Sequence, residues 1–430
     1  VAARARRPPE HGGRRAQPAP PPPGHSPGAP MTLQQQDEVA AAPYLDLFAP
    51  ALHDDPYAWY ARAREAAPLC RGPHGLAVVT RHRDVSAALR DPRLGHGTTA
   101  GPDRIFSFLG LDPPGHGPLR AVAARFFAPR AIAALGPAIA GLADELLDAA
   151  LDKGEVDLLS DLAYPLSLRV IGRLFALPEA DQPWIRAQTP PIGRLLDPPY
   201  SISGPDLAAA EAAAAVFVRY LSARARDRRR RPGDDLLSAL IAGSDAGALA
   251  RRDLIPMFAL LVLAGYETTA NVIANAALAL LSQPGATATA RAGARDGQLA
   301  PAAMDELIRY DSSIQVTFRT VQRDAVVAGA ALPAGTRVAL LIGSANHDPR
   351  VFARPGRLDL QRSPNPHLSF GAGIHYCLGA PLARLEASLA LGRLLARAGH
   401  AELATARPRH KDITAAIRGL EELPVRLAPC

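Results

Sequence analysis

The sequence has 430 residues, of which 48% are hydrophobic, and 48 Lys and Arg residues against 41 Asp and Glu residues give a formal net charge of +7. This apolar fraction excludes an intrinsically disordered chain, and no uninterrupted apolar run approaches the span of a bilayer. The three cysteines lie far apart, which excludes a paired disulfide framework and a closely spaced zinc or iron–sulfur site, and favours a reducing cytoplasm.

The positive charge is clustered in the first fifteen residues and in the run Arg228 to Arg231. A solvated tail or a solvated helix face accounts for such clusters, so we expect neither a nucleic-acid nor a membrane partner.

Residues 1–38 include a segment rich in Arg, Pro, Gly and Ala without the apolar stretch of a signal peptide. We expect a disordered tail there, followed by a single domain over residues 39–430, because linker-like composition occurs only at the N-terminus.

Within that domain a strand is predicted near residues 76–80, and Ala- and Leu-rich periodicity predicts several helices. The helical segments are 130–151, 164–177, 206–231 and 234–242. The longest helix is predicted from about 252 to 282, with Pro256 in its first turn and its end before Pro284. It is apolar on most sides, as a helix at the centre of a large protein is.

The stretch Phe370-Gly371-Ala372-Gly373-Ile374-His375-Tyr376-Cys377-Leu378-Gly379 fits the pattern Phe-x-x-Gly-x-x-x-Cys-x-Gly and resembles the cysteine loop of cytochromes P450. A thiolate that binds haem iron needs an apolar wall and N–H donors that temper its charge. Phe370 can cover the sulfur, Gly373 lets the loop pass the macrocycle, and Gly379 lets the next helix lie near the ring. That helix, beginning near Pro381, places Cys377 at a helix N-terminus.

The alternative is a small buried cysteine in an ordinary loop, which is the interpretation we give to Cys70 and Cys430. The resemblance to cytochromes P450 extends from about Tyr44 to the end of the chain. It implies a mainly α fold with small β-sheets, in which haem b (iron protoporphyrin IX) lies between the long central helix and the Cys-loop helix, with Cys377 as the iron ligand.

Upstream, Asp112-Pro113-Pro114-Gly115-His116-Gly117-Pro118-Leu119-Arg120 resembles the family's His-x-x-x-Arg helix, whose two side chains face a haem propionate. Residues four apart share a helix face and can together bind a carboxylate. Because of Gly117 and Pro118 we expect the helix to begin later, with Arg120 a firmer ligand than His116. A surface charge is the alternative for an isolated pair.

The centre of the long helix, Leu263-Ala264-Gly265-Tyr266-Glu267-Thr268-Thr269, resembles the family's oxygen-activating segment. We expect Thr268 to hydrogen-bond toward the carbonyl of Ala264, Gly265 to leave room for dioxygen, and Glu267 to relay protons inward. The alternative is a satisfied polar patch in a core helix.

Glu306 and Arg309 match the family's Glu-x-x-Arg pair, which the resemblance completes with Arg357 as a buried scaffold. Taken alone, such a pair is commonplace on a helix surface. By the same resemblance Arg319 and His375 also bind propionates. Candidate substrate contacts are Gln315 and Thr317, with residues 98–109 and 189–203.

These motifs imply a monooxygenase that hydroxylates or epoxidises a lipophilic small molecule, acting as a cytoplasmic monomer supplied by a ferredoxin and its reductase. An enzyme driven by hydrogen peroxide is a second possibility, although the Glu267–Thr268 pair argues against it. A haem protein that carries or senses a gas, or one that only recruits a partner, is a third.

Overall fold

A 31-residue helix, Arg251–Leu281, runs through the middle of the protein and is buried along most of its length. The computed structural model describes residues 42–49, 51–97, 102–405, 407–411 and 414–430. The predicted tail over residues 1–38, and residues 98–101 of one candidate substrate loop, lie outside the described residues.

Helices dominate the described chain, and short helical turns connect many of them. In chain order they are α1 (Ala51–Asp54), α2 (Tyr57–Ala66), α3 (His82–Ala88), α4 (His116–Ala124), α5 (Pro129–Ala133), α6 (Gly136–Lys153), α7 (Tyr164–Phe175), α8 (Gln182–Gly193), α9 (Gly204–Arg230), α10 (Leu236–Asp245), α11 (Arg251–Leu281), α12 (Pro284–Gly293), α13 (Pro301–Tyr310), α14 (Ile342–Asn346) and α15 (Ala380–Arg397).

Within the described residues, ten short strands form three small sheets. They are β1 (Leu69–Arg71), β2 (Ala77–Val79), β3 (Leu94–Gly95), β4 (Glu155–Asp157), β5 (Val316–Val321), β6 (Ala325–Val327), β7 (Ala330–Leu332), β8 (Arg337–Leu341), β9 (Ala398–Leu403) and β10 (Pro424–Pro429). The largest sheet has the order β1-β2-β8-β5-β3, with β2 and β8 parallel. The others are β4-β10-β9 and the hairpin β6-β7.

The central helix α11 packs against α7, α9, α13 and α15, so its apolar surface is covered from several directions. Among the described residues α11 is the one single helix long and apolar enough to cross a membrane, and 83% of its most apolar stretch is buried in the protein. A second stretch passes that test only if His116–Ala133 and Gly136–Lys153 are joined across a 72° bend.

The predicted mainly α fold with small sheets is confirmed, with two local differences. The segment predicted as one helix over 130–151 is divided between α5 and α6. The long helix begins at Arg251, so Pro256 lies inside it rather than in its first turn. The burial of α11 outweighs the backbone hydrogen bond that a proline inside a helix removes.

Candidate active site

The cysteine loop between α14 and α15 is shaped by hydrogen bonds of its own backbone. The Cys377 N–H donates to the carbonyl oxygen of Phe370 at 2.8 Å, and the Tyr376 N–H donates to that of Gly373 at 3.1 Å. The Phe370 ring is buried, and the Arg384 guanidinium lies 4.4 Å from its centroid. The loop therefore presents Cys377 immediately before the first turn of α15.

Cys377 is an exposed residue of the cysteine loop, and protein groups surround its thiol closely enough to shift its pKa. Burial raises the pKa of this thiol, while N–H groups of Gly379 and Ala380 and the Arg120 guanidinium act in the opposite direction. Free N–H groups at the start of a helix stabilise a negative sulfur. Cys377 thus has the surroundings that a thiolate ligand requires.

The two glycines of the motif differ in their φ angles and in the space that the protein leaves for a Cβ atom. Gly373 has φ +69°, and a Cβ atom there would lie 2.5 Å from the carbonyl oxygen of Leu89. Gly379 has φ −80°, and a Cβ atom would have no described protein atom within 4 Å. The macrocycle is therefore not needed to explain Gly373, because backbone geometry and the approach to α3 already require it.

At the centre of α11 the otherwise buried helix becomes accessible on one side. Ala264 is exposed and Thr268, one turn later, is partly exposed. The Thr268 hydroxyl donates to the Ala264 carbonyl oxygen at 2.9 Å, which is the predicted contact. Thr269 makes the same kind of bond to Gly265 at 3.1 Å but is itself buried.

Gly265 lies in close contact with the neighbouring helix α7. A Cβ atom on Gly265 would lie 2.4 Å from Cδ1 of Ile171 on α7. The missing side chain thus makes room for the neighbouring helix, and the role of Gly265 in leaving room for dioxygen stays a prediction.

Glu267 is buried beside Lys411, which lies in the segment between β9 and β10. The Lys411 ammonium is 3.6 Å from the Glu267 carboxylate and also hydrogen-bonds the Tyr164 hydroxyl. Burial raises the pKa of Glu267, and Lys411 opposes this shift. No local motif around Lys411 signals this contact in the sequence. Tyr266, the residue before Glu267, hydrogen-bonds Thr189 of α8.

The four predicted propionate ligands come from three parts of the chain: His116 and Arg120 lie on α4, Arg319 on β5 and His375 in the cysteine loop. The His116 and His375 rings are 4.4 Å apart, and His375 and Arg319 interact electrostatically. Arg120 hydrogen-bonds the carbonyl oxygen of Tyr376, beside them in the cysteine loop. Helix α4 begins at His116, so the prediction that it begins later is wrong. Pro118 falls within the first turn, where a missing N–H removes no helical hydrogen bond.

This cluster contains cationic and N–H donor groups, and the Asp112 carboxylate interacts electrostatically with two of them, Arg319 and His116. Arg319 is only 6% exposed and donates to Thr317 Oγ1 and the Phe318 carbonyl oxygen, with no carboxylate within 4.0 Å among the described residues. Burial lowers the pKa of Arg319 to about 10 and that of His375 to about 3, the latter further reduced by Arg319 itself. An anion placed here would relieve both effects.

The buried ion pair of α13 is present as predicted, but its third member is not Arg357. Arg309 donates to both carboxylate oxygens of Glu306, at 2.7 and 2.8 Å, and both side chains are fully buried. Arg362 completes the group at 2.9 Å from Glu306, whereas Arg357 is exposed and offers only its carbonyl oxygen to Arg362. The prediction of Arg357 is therefore wrong, because the chain after α14 directs the Arg362 side chain inward and leaves Arg357 exposed.

This ion-pair group is joined to the cysteine loop through Asn346, for which the sequence predicted no role. Arg309 donates to the Asn346 carbonyl oxygen at 2.8 Å. The Asn346 side chain in turn accepts from the Leu368 N–H at 2.7 Å and donates to Ser369 Oγ at 2.8 Å. The residues that enter the loop are thus held by α14, and the motif Ala345-Asn346-His347-Asp348-Pro349 is the sequence signal for this contact.

The two candidate substrate residues on and before β5 have partners within the protein. Gln315 is buried and donates to the Ser312 carbonyl oxygen at 2.7 Å. Thr317 is partly buried and accepts from Arg319 at 2.9 Å. Their role in substrate binding stays a prediction.

Iron protoporphyrin IX fits the residues present. Its two carboxylates match the buried, unpaired donors near Arg319, and its iron matches the Cys377 thiol, at which the N–H groups of Gly379 and Ala380 are directed. Cys377 would bind the iron, and His116, Arg120, Arg319 and His375 would hold the propionates.

Comparison with known proteins agrees with this geometry. A family model described as Cytochrome P450 matches residues 203–414. The chain is 35% identical to cytochrome P450 107B1 of Saccharopolyspora erythraea over 89% of this chain and 98% of that protein. It is 36% identical to the cytochrome P450 monooxygenase PikC of Streptomyces venezuelae, over 92% and 97% respectively. The crystal structure of myxobacterial CYP267B1 in complex with myristic acid superposes with a TM-score of 0.81 at 36% identity, covering 88% of this chain and 98% of that one.

Proposed function

The chain is a member of the cytochrome P450 family, whose members are monooxygenases that bind haem b. We propose that it hydroxylates or epoxidises a lipophilic small molecule with electrons from NAD(P)H. We propose that a separate ferredoxin and its reductase deliver those electrons, and that the protein acts as a cytoplasmic monomer. The observation that carries the proposal is that the chain has both a thiol at a helix N-terminus, Cys377, and a partly exposed hydroxyl in the middle of α11, Thr268.

The bound haem supplies the activation of dioxygen and the insertion of one oxygen atom into the substrate. For the protein, we propose that Cys377 binds the iron and that the N–H groups of Gly379 and Ala380 temper the charge on its sulfur. Phe370 and Arg384 would shield the same side of the loop. These residues would hold an electron-rich ligand at the N-terminus of α15.

On the other side, we propose that Thr268 and Glu267 order the delivery of protons. The Thr268 hydroxyl lies at the accessible face of α11, where it can hold a proton donor in place. Glu267 is buried, and its raised pKa keeps a proton available closer to neutral pH than an ordinary glutamate would. Lys411 and Tyr164 would orient that carboxyl group.

The apolar residues of the candidate loops and the relative in complex with myristic acid support a proposal for the substrate class. We propose a lipophilic molecule such as a fatty acid, terpenoid, steroid or polyketide. A screen for ligands that shift the Soret band, as happens when substrate displaces iron-bound water, tests this class. A library in which only small polar compounds shift the band would contradict it.

The electron source is tested by comparing product formation under two conditions. We expect turnover with NADPH, ferredoxin and reductase, and little turnover with hydrogen peroxide alone. Efficient turnover with peroxide alone would instead identify a peroxide-driven enzyme. No turnover under either condition with any ligand that shifts the Soret band would favour a haem protein that only binds.

A further inference from the structure

His96, which follows strand β3, lies against the propionate-binding cluster. Its ring centroid is 4.7 Å from that of His375, in an edge-to-face arrangement. Strand β3 pairs with β5 so that Gly95 lies opposite Thr320, the neighbour of Arg319. Three histidines from three distant segments of the chain therefore meet beside one buried arginine.

The position of His96 is set by the carboxylate of Asp112. The N–H of His96 donates to both carboxylate oxygens at 3.0 Å, and the N–H of Gly97 donates at 3.1 Å. A Cβ atom on Gly95 would lie 2.3 Å from the same carboxylate, so only glycine lets the chain wrap it this closely.

Asp112 also sets the position of a second histidine. Its carbonyl oxygen accepts the N–H of His116 at 3.2 Å, at the start of α4. One residue thus fixes His96 through its side chain and His116 through its backbone. A loop held in this way points a side chain in a defined direction rather than leaving it to solvent.

Each of the three imidazoles has one ring nitrogen that lacks a hydrogen-bond partner among the described residues. The Nε2 atoms of His96, His116 and His375 are all buried, and none has a hydrogen-bond partner among the described residues. A buried polar atom without a partner is costly, and three of them together beside Arg319 indicate an anion with several acceptor oxygens. A ring that only filled space at residue 96 would not need a nitrogen that can donate a hydrogen bond.

We propose that His96 is a third histidine donor to a haem propionate, and that Asp112 is the positioning residue that directs it there. The inference rests on the proposed haem site, to which it adds a residue outside the recognised motifs. It predicts that His96 contributes to haem retention and contributes nothing to the stability of the haem-free protein.

The test measures the rate at which the holoprotein loses haem to an excess of apomyoglobin. We expect His96→Phe, which keeps an aromatic ring, to lose haem about tenfold faster, the effect of one hydrogen bond to a charged acceptor. His96→Gln, whose Nε2 is again a donor, should restore most of the retention. His400→Phe is the matched control, because His400 is an exposed residue of β9, and it should leave the rate unchanged.

Two further measurements separate a propionate contact from a packing role. Haem-free His96→Phe should be at least as stable to unfolding as the haem-free wild type, because an unpaired nitrogen is removed. Haem in which both propionates are methyl esters should be lost at the same rate from His96→Phe and from the wild type.

A wild-type rate of haem loss in His96→Phe would overturn the inference. A faster loss matched by an equal destabilisation of the haem-free protein, or one that persists with the dimethyl ester, would also overturn it. Failure of the proposed haem site itself has a different signature, because the wild-type protein would then not retain haem at all.

Discussion

The Lys411 ammonium lies 3.6 Å from the Glu267 carboxylate, across a contact between the segment that precedes β10 and the centre of the helix α11. Glu267 is 8% exposed, and burial raises its pKa while Lys411 opposes the shift. The lysine therefore helps to keep a buried acid in one orientation beside Thr268. It does so from a part of the chain that carries no recognised motif.

Replacing Lys411 by Met should destabilise the protein by about 1–3 kcal/mol at pH 8 and by less at pH 5. The pKa of Glu267 is raised above its unfolded value, and without Lys411 it rises further. The variant thus loses stability as the pH rises, because the buried group must then stay protonated at a cost or become an unpaired charge. Thermal unfolding of the holoprotein at both pH values measures the difference.

Lys153→Met, which removes an exposed ion pair with Asp161, is the control and should cost less than about 0.5 kcal/mol at either pH. An equal loss at the two pH values would show that the charge pair is not the cause.

Replacing Arg362 by Ala should destabilise the protein by about 1–3 kcal/mol, because it leaves the buried Glu306 carboxylate with fewer donors. Arg309 still binds Glu306 in the variant, so the loss stays below that of the whole ion-pair group. Arg357→Ala should change stability by less than about 0.5 kcal/mol, since that side chain is exposed. Urea unfolding and haem content measure both variants. A greater loss in Arg357→Ala than in Arg362→Ala would contradict the observed network.

The contrast between these two arginines shows what the sequence can and cannot predict. The cysteine loop, Thr268 and the Glu306–Arg309 pair lie within short segments, where spacing alone brings the atoms together. Arg362 and Lys411 reach their partners through loops whose path depends on the packing of the whole protein, and neither has a periodic pattern around it. The helices were predictable for the same local reason, because their apolar faces repeat with the period of the helix.

Replacing Gly373 by Ala should destabilise the haem-free protein by about 1–3 kcal/mol, because of its left-handed backbone and its approach to Leu89. Gly379→Ala should leave the haem-free protein within about 0.5 kcal/mol of the wild type, since no described protein atom lies near the added methyl group. Denaturant unfolding without haem and haem content after reconstitution are the two measurements. A drop in haem content in Gly379→Ala without a loss of haem-free stability would identify Gly379 as a contact of the macrocycle. Equal stability of haem-free Gly373→Ala and wild type would contradict our account of that loop.

Replacing Cys377 by Ser should abolish the red-shifted Soret band that thiolate-bound haem shows when it is reduced and exposed to carbon monoxide. Cys377 is the one cysteine that lies at the N-terminus of α15 with N–H groups directed at its sulfur. Cys70→Ser and Cys430→Ser are the controls, because Cys70 is buried beside the Ala63 carbonyl oxygen and Cys430 is an exposed residue at the end of the chain. Both should keep the band, and a Cys377→Ser protein that kept it would exclude Cys377 as the ligand.

Replacing Thr268 by Ala should separate oxygen activation from simple haem binding. The variant should keep the haem, the carbon monoxide band and the affinity for substrate, because the substitution removes no predicted haem ligand. NADPH consumption should continue while hydrogen peroxide release rises and product per NADPH falls several-fold, the effect of losing a positioned proton donor.

Thr269→Ala is the matched control for this experiment, since both hydroxyls donate to the carbonyl oxygen one turn earlier in the same helix. Thr269 is buried, whereas Thr268 is partly exposed beside Ala264, so only Thr268 can meet a molecule bound against α11. Loss of coupling in both variants would mean that the helical hydrogen bond matters rather than the hydroxyl at the accessible face. Undiminished coupling in Thr268→Ala would show that Thr268 is only a helix residue, because proton delivery cannot depend on a group whose removal leaves it unchanged.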